Sequence, residues 1–175
     1  QILVSMIGDI SLQEITINRL VGLIIKDEVA ITENRLPSNI SNEIFRRLVD
    51  NGEAKQLKKL DTNKFTITEA DLSLCGIDDE SLNIILAHPL KKLCIDSSGA
   101  NHVSIVAKLR DHFIRFPSSL QTLNHISLNG THVLSELSKK MADNLLLENL
   151  HTLRMQNSRL KNADINLIVK VGELI

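Results

Sequence analysis

An eleven-residue pattern, LxxLxLxxN/CxL, recurs four times between Ile67 and Leu160, and no other feature narrows the possible folds as far. ITEADLSLCGI puts Ile67, Ala70, Leu72, Cys75 and Ile77 in its five fixed slots. LKKLCIDSSGA supplies Leu90, Leu93, Ile95, Ser98 and Ala100, and LNHISLNGTHV supplies Leu123, Ile126, Leu128, Thr131 and Val133. LHTLRMQNSRL supplies Leu150, Leu153, Met155, Ser158 and Leu160. The segments start at 67, 90, 123 and 150, so the spacings are 23, 33 and 27 residues, irregular but around the ~20–29 residues at which such a unit repeats.

Stretches with the apolar spacing of helices separate these segments. They are DDESLNIILAH with Leu82, Ile85 and Leu86, VSIVAKLRDHF with Val106, Leu109 and Phe113, and VLSELSKKMADNLL with Leu134, Leu137, Met141 and Leu145. One strand and one helix cannot bury their own apolar faces. Stacked neighbours turn the fixed slots into continuous ladders. The pattern is the leucine-rich-repeat consensus, and the fold it predicts is α/β: an N-terminal helical adaptor box over residues 1–64, then a short leucine-rich-repeat solenoid over 65–175. The closing INLIVKVGELI is still apolar, as expected of a stack that continues or docks.

Composition agrees with stacked aliphatic ladders. Hydrophobic residues make up 43% of the 175, enough for a core, while aromatics are 2% with no Trp or Tyr. The 20 basic and 21 acidic residues nearly cancel, which argues against a nucleic-acid binder working through a basic face. Cys75 and Cys94 stand 19 residues apart with no CxxC, so free buried thiols in a reducing compartment, cytoplasmic or nuclear, are expected rather than a metal site. The longest apolar run, Leu20 to Ile25, is interrupted by Gly22 and too short to span a bilayer, and no secretory leader is expected. The six histidines are scattered and no HExxH, G-x-S-x-G or P-loop occurs. The expectation is a binding protein, not an enzyme, with no cofactor.

Before Ile67 the period is helical. Ser11 can cap a helix from Leu12 to about Ile25, with Glu14 completing an S-x-x-E capping box. Its spacing puts Leu12, Ile15, Thr16 and Leu20 on one face. After a polar stretch from Lys26 to Arg35, LPSNISNEIFRRLVDNG restarts the pattern, with Pro37 in the first turn, Ile40, Ile44, Phe45 and Leu48 on the apolar face, and Asn51-Gly52 as the stop. A third short helix is expected around Ala54 to Leu60. Three short helices form a thin core, suited to covering the open edge of the first repeat.

SLQEITINRL, residues 11–20, resembles the elongin-C-binding box, (S/T)LxxxCxxxΦ, with Leu12 on the pocket leucine, Thr16 on the usual cysteine and Leu20 on the distal apolar position. Twenty residues after Thr16, LPSNISNEIF resembles the cullin-2 box, ΦPxxΦxxxΦ, through Leu36, Pro37, Ile40 and Ile44; it lacks the second proline of cullin-5 receptors. Together they look like a von Hippel–Lindau-type box. Its place before leucine-rich repeats is similar to the ZYG/ZER family of substrate receptors for cullin-2 ubiquitin ligases. That resemblance implies elongin C (with elongin B), cullin-2 and a protein target as partners, with neither nucleic acid nor membrane, and it implies Leu12, Ile15, Thr16 and Leu20 as the elongin C contact. Thr16 departs from the pattern, since its hydroxyl needs a partner once covered; the carbonyl of Leu12, four residues back, is the expected acceptor. The second helix also resembles the opening of an F-box, although no Trp and no Cys before Cys75 follows it. A repeat scaffold unconnected with ubiquitin is the remaining alternative.

Alternation along the repeat strands assigns the outward positions. Glu69, Lys92, His125 and Thr152 form one column, Asp71, Cys94, Ser127 and Arg154 a second, and Ser73, Asp96, Asn129 and Gln156 a third. Asp71, Asp96, His125, Asn129, Arg154 and Gln156 are the candidate target-binding residues.

Overall fold

A computed structural model of the chain describes residues 11–28, 35–73, 75–96, 108–109, 111–113, 115–116, 118–129 and 149–154. Helix α1 (Leu12–Ile25) begins at Ser11, whose hydroxyl accepts the Glu14 N–H at 3.2 Å. It ends where Asp27 takes a left-handed conformation, φ 60°. Helix α2 (Ser38–Asp50) starts directly after Pro37 and stops at Asn51, with Gly52 at φ 73°, a backbone geometry that glycine enters without a Cβ penalty. A 3-10 turn, Ala54–Lys59, follows.

Four strands come next: β1 (Glu69–Asp71), β2 (Lys92–Asp96), β3 (His125–Asn129) and β4 (Thr152–Arg154). They form one parallel sheet in chain order. Helix α3 (Asp79–Leu86), capped by the Asp78 carboxylate on the Ser81 N–H at 2.8 Å, crosses from β1 to β2. A four-residue helix α4 (Ser118–Gln121) precedes β3.

The register puts Ala70, Leu93, Ile126 and Leu153 in one row, and Glu69, Lys92, His125 and Thr152 in the next. These are the rows that superposing the four LxxLxLxxN/CxL segments requires. The same hydrogen bonds recur at each junction: the carbonyls of Thr68, Lys91 and Asn124 each accept two consecutive N–H groups, those of Lys91 and Lys92, Asn124 and His125, and His151 and Thr152, at 2.7–3.0 Å. Side chains add a second stitch, Thr122 Oγ1 to the Leu90 carbonyl and Asn149 Nδ2 to the Gln121 carbonyl, both 2.7 Å.

One hydrophobic cluster runs through both parts of the chain. It joins Ile17, Val21 and Ile24 of α1 and Ile44, Phe45 and Leu48 of α2 to Ile67, Leu82, Ile85, Leu93, Ile95 and Ile126. Leu109 and Phe113, expected on a helix between β2 and β3, are buried and helical. Val106, the helix expected over 133–146, the slots Ser98, Ala100, Thr131, Val133, Met155, Ser158 and Leu160, and the 165–175 segment lie outside the described residues.

Candidate partner-binding surface

Helix α1 carries two apolar faces, and only one of them enters the core. Ile17, Val21 and Ile24 are buried. Leu12 is 80% exposed and Ile15 53% exposed, which makes them, with Phe116, the exposed large hydrophobics among the described residues. Thr16 is exposed beside them, and its hydroxyl donates to the Leu12 carbonyl at 2.8 Å, the bond expected for a threonine in the cysteine slot. Leu20 is half-buried and packs against the core, so it closes this face at its inner end.

The helix is held on both flanks. Arg47 of α2 reaches Asn18 Oδ1, Glu14 Oε1 at 3.4 Å and Glu43 Oε1 at 2.7 Å. Glu43 also takes Arg46 at 2.7 Å, and these two guanidinium hydrogen bonds, Arg46 first, hold its carboxyl down at about 2. At the other end Lys59 Nζ donates to the Ile24 carbonyl at 2.8 Å and pairs with Asp27 at 2.5 Å, placing a cation where the helix dipole is negative. Glu14 thus serves the α1–α2 contact with its carboxylate while its N–H makes the Ser11 half of the capping box.

The segment from Leu36 to Ile44 is more deeply built in. Leu36 and Ile40 are half-buried against the core and Pro37 is exposed, but Ile44 is fully buried. Ile44 therefore supports α2 from within, and its side chain presents nothing to a partner. The chain around Leu36 is pinned from behind: its N–H donates to the Lys64 carbonyl at 2.7 Å, and the buried Ser41 hydroxyl donates to its carbonyl at 3.2 Å while accepting the Thr66 N–H at 3.0 Å.

On the sheet, Asp71 and Arg154 are exposed and His125 is half-buried. Burial first, then the charges of Lys92 and Arg154, lower His125 below the ordinary histidine value, so it is neutral at pH 7. Ser127, expected outward, is buried between its row neighbours Cys94 and Arg154. Asp96 and Asn129 are paired in the β2–β3 register; Gln156 lies outside the described residues. The Cys75 thiol, half-buried, is pushed up to about 11 by burial and by Asp71 and Asp78, which leaves it a poor nucleophile.

Sequence spacing found the exposed face of α1 and missed the buried one. Ile17, Val21 and Ile24 also follow a 3–4 spacing, and periodicity does not rank two such stripes on one helix. Among the described residues no three His, Cys, Asp or Glu side chains converge as metal ligands, and no helix is long and apolar enough to cross a membrane. No protein-family model, curated protein or solved structure matches this chain.

Proposed function

We propose that this chain is a non-catalytic substrate receptor of a cullin-2/elongin B–elongin C ubiquitin ligase. On this reading α1 holds elongin C, the start of α2 contacts cullin-2, and the strands belong to a leucine-rich-repeat solenoid whose outer face holds a target protein. The observation that carries the reading is the pair Leu12 and Ile15, exposed one turn apart on a helix already fixed by Ile17, Val21 and Ile24. Single exposed leucines are ordinary. Two large aliphatics flanking a threonine whose hydroxyl is already satisfied make a face ready to be covered without a polar penalty. Its residues are those that resemble the elongin-C-binding box, with Thr16 in the cysteine position. The in-order parallel strands, their register and the recurrent junction hydrogen bonds support the repeat reading. The cullin-2 contact would rest on Leu36, Pro37 and Ile40, without Ile44.

The receptor's mechanism is proximity: holding a target near a ubiquitin-charged enzyme raises the effective concentration of its lysines, and no bond is made by this chain. The work would take place in the cytoplasm or nucleus and require no cofactor. The test is capture of purified elongin B–C by the immobilised chain, wild type against Leu12→Ala. Emptying a desolvated anchor pocket should weaken capture by about 2–4 kcal/mol, with an unchanged melting temperature because Leu12 contributes little to the fold. Equal capture by the variant, or none by the wild type, would reject the assignment.

A further inference from the structure

We infer that the groove between α2 and the outer edge of β1 binds an extended basic peptide as an added strand. The inference rests on this edge alone and holds whether or not α1 binds elongin C. In the sheet order β1 is an end strand. The Thr68 carbonyl and the Leu72 N–H bond toward β2, so the backbone groups of Glu69 and Asp71 turn the opposite way, as alternate residues in a parallel ladder must. Asn42 of α2 takes the first of them: its Oδ1 accepts the Thr68 N–H at 2.9 Å and the Glu69 N–H at 3.3 Å. The Glu69 carbonyl and both backbone groups of Asp71 have no hydrogen-bond partner among the described residues. That is an open acceptor–donor–acceptor edge, the element that strand addition uses.

Beside this edge lies a groove of about 920 Å³ whose far wall is α2, with Asn42, Arg46, Val49 and Asp50, and whose other side is Glu69 to Asp71. Its charged lining is four carboxylates, Glu43, Asp50, Glu69 and Asp71, against two cations, Arg46 and Lys92, a balance of −2. Arg46 is already shared by Glu43 and Asp50, whereas Glu69 and Asp71 are exposed and have no ion pair among the described residues. They stand at i and i+2, on one face of the strand. An added strand would set its own alternate side chains beside them, and opposite charges there are favourable. Val49, half-buried on the α2 wall, gives its other face apolar contact. The occupant so defined alternates basic and apolar residues; an acidic strand would be repelled.

The probe is a fluorescein-labelled Lys-Val-Lys-Val-Lys-Val peptide titrated with the full chain and read by anisotropy. Binding is expected, with about tenfold weaker affinity when every backbone amide of the peptide is N-methylated or when the chain carries Glu69→Gln, since each removes one group of contacts. A Glu-Val peptide of the same length should not bind. Glu69 is exposed, so the variant should melt as the wild type does. Hydrogen exchange of the Asp71 amide supplies an independent readout: rapid in the free chain, slowed on peptide binding. The inference is overturned by no binding of the Lys-Val peptide, by equal binding of the N-methylated peptide, which would mean charge alone, or by an Asp71 amide already protected in the free chain, which would mean that the chain itself or a second copy covers the edge.

Discussion

At the scale of single residues, His88 is the least replaceable polar group described. It is buried, its Nε2–H donates to the Leu60 carbonyl at 2.6 Å, and its Nδ1 accepts the Ile67 N–H at 3.3 Å. One ring thereby ties the end of the helical part to the approach to β1. His88→Leu fills the space but strands a buried carbonyl and a buried N–H, and a loss of about 2–4 kcal/mol is expected in urea unfolding. Burial, and secondarily the Arg35 charge, hold the imidazole below its ordinary 6.5 against the opposing pull of the Leu60 carbonyl and Asp61. The folded state therefore binds its proton later than the unfolded state as pH falls. Stability from this group is complete above 6.5 and is lost as pH drops from 6.5 to the lower folded value; the His88→Leu variant should lack that limb in a pH series of melts. Thr16 is a milder case. Its hydroxyl bond is internal to an exposed helix, so Thr16→Cys should alter stability by no more than about 0.5 kcal/mol and leave elongin C capture equal or slightly stronger.

Helices and strands differ in how far local chemistry determines them. The bounds of α1 were legible because Ser11 and the apolar spacing mark its start and length, and those of α2 because Pro37 and Asn51-Gly52 bracket it. The strand rows were legible because four copies of one pattern fix a common register. What could not be read was the docking of α1. That depends on Arg47, 29 residues from Asn18 and 33 from Glu14, and on Lys59, 35 residues from Ile24; such pairs have no local periodicity. Nor could spacing alone tell that Ile44 faces inward entirely while Leu12 faces out. Because Arg47 joins α1 to α2 through Asn18 and Glu14, Arg47→Met should lower stability modestly, as expected for a solvent-screened charged network. Its more specific effect would be on elongin C, whose capture should weaken as α1 loses its fixed angle, while Arg46→Met, on the exposed side of the same carboxylate, should leave capture unchanged. Pull-down of both variants separates positioning of α1 from mere loss of charge. Glu43, held down at about 2, adds an acid limb: its contribution is complete above 4.5 and is lost as pH falls from 4.5 toward 2.

For the molecule as a whole, the decisive matter is whether the helical part and the sheet move as one. The described core has no seam near residue 64. Leu57 and Leu60 of the helical part and Phe65, Ile67 and Leu82 beyond it are all buried in a single cluster, and the contacts of Asn42 with Thr68 and of His88 with Leu60 cross the same line. A helical box with so few buried residues would be marginal alone; stacked on β1 and α3 it shares their core. The prediction is one cooperative unfolding transition across both parts. Leu48→Ala, in α2, and Leu93→Ala, in the sheet, should each lower stability by about 2–5 kcal/mol, and each should shift the same transition whether it is followed by helix signal or by amide exchange in β2. Two separated transitions, with Leu48→Ala moving only the first, would show that the parts are coupled by contact alone. The distinction bears directly on the proposed receptor role: with one cooperative unit the exposed face of α1 and the outward residues Asp71, His125 and Arg154 keep a fixed separation. On the proposed reading, a ligase bound at one end would then present whatever is held at the other at a defined distance, and effective concentration would depend on that fixed geometry.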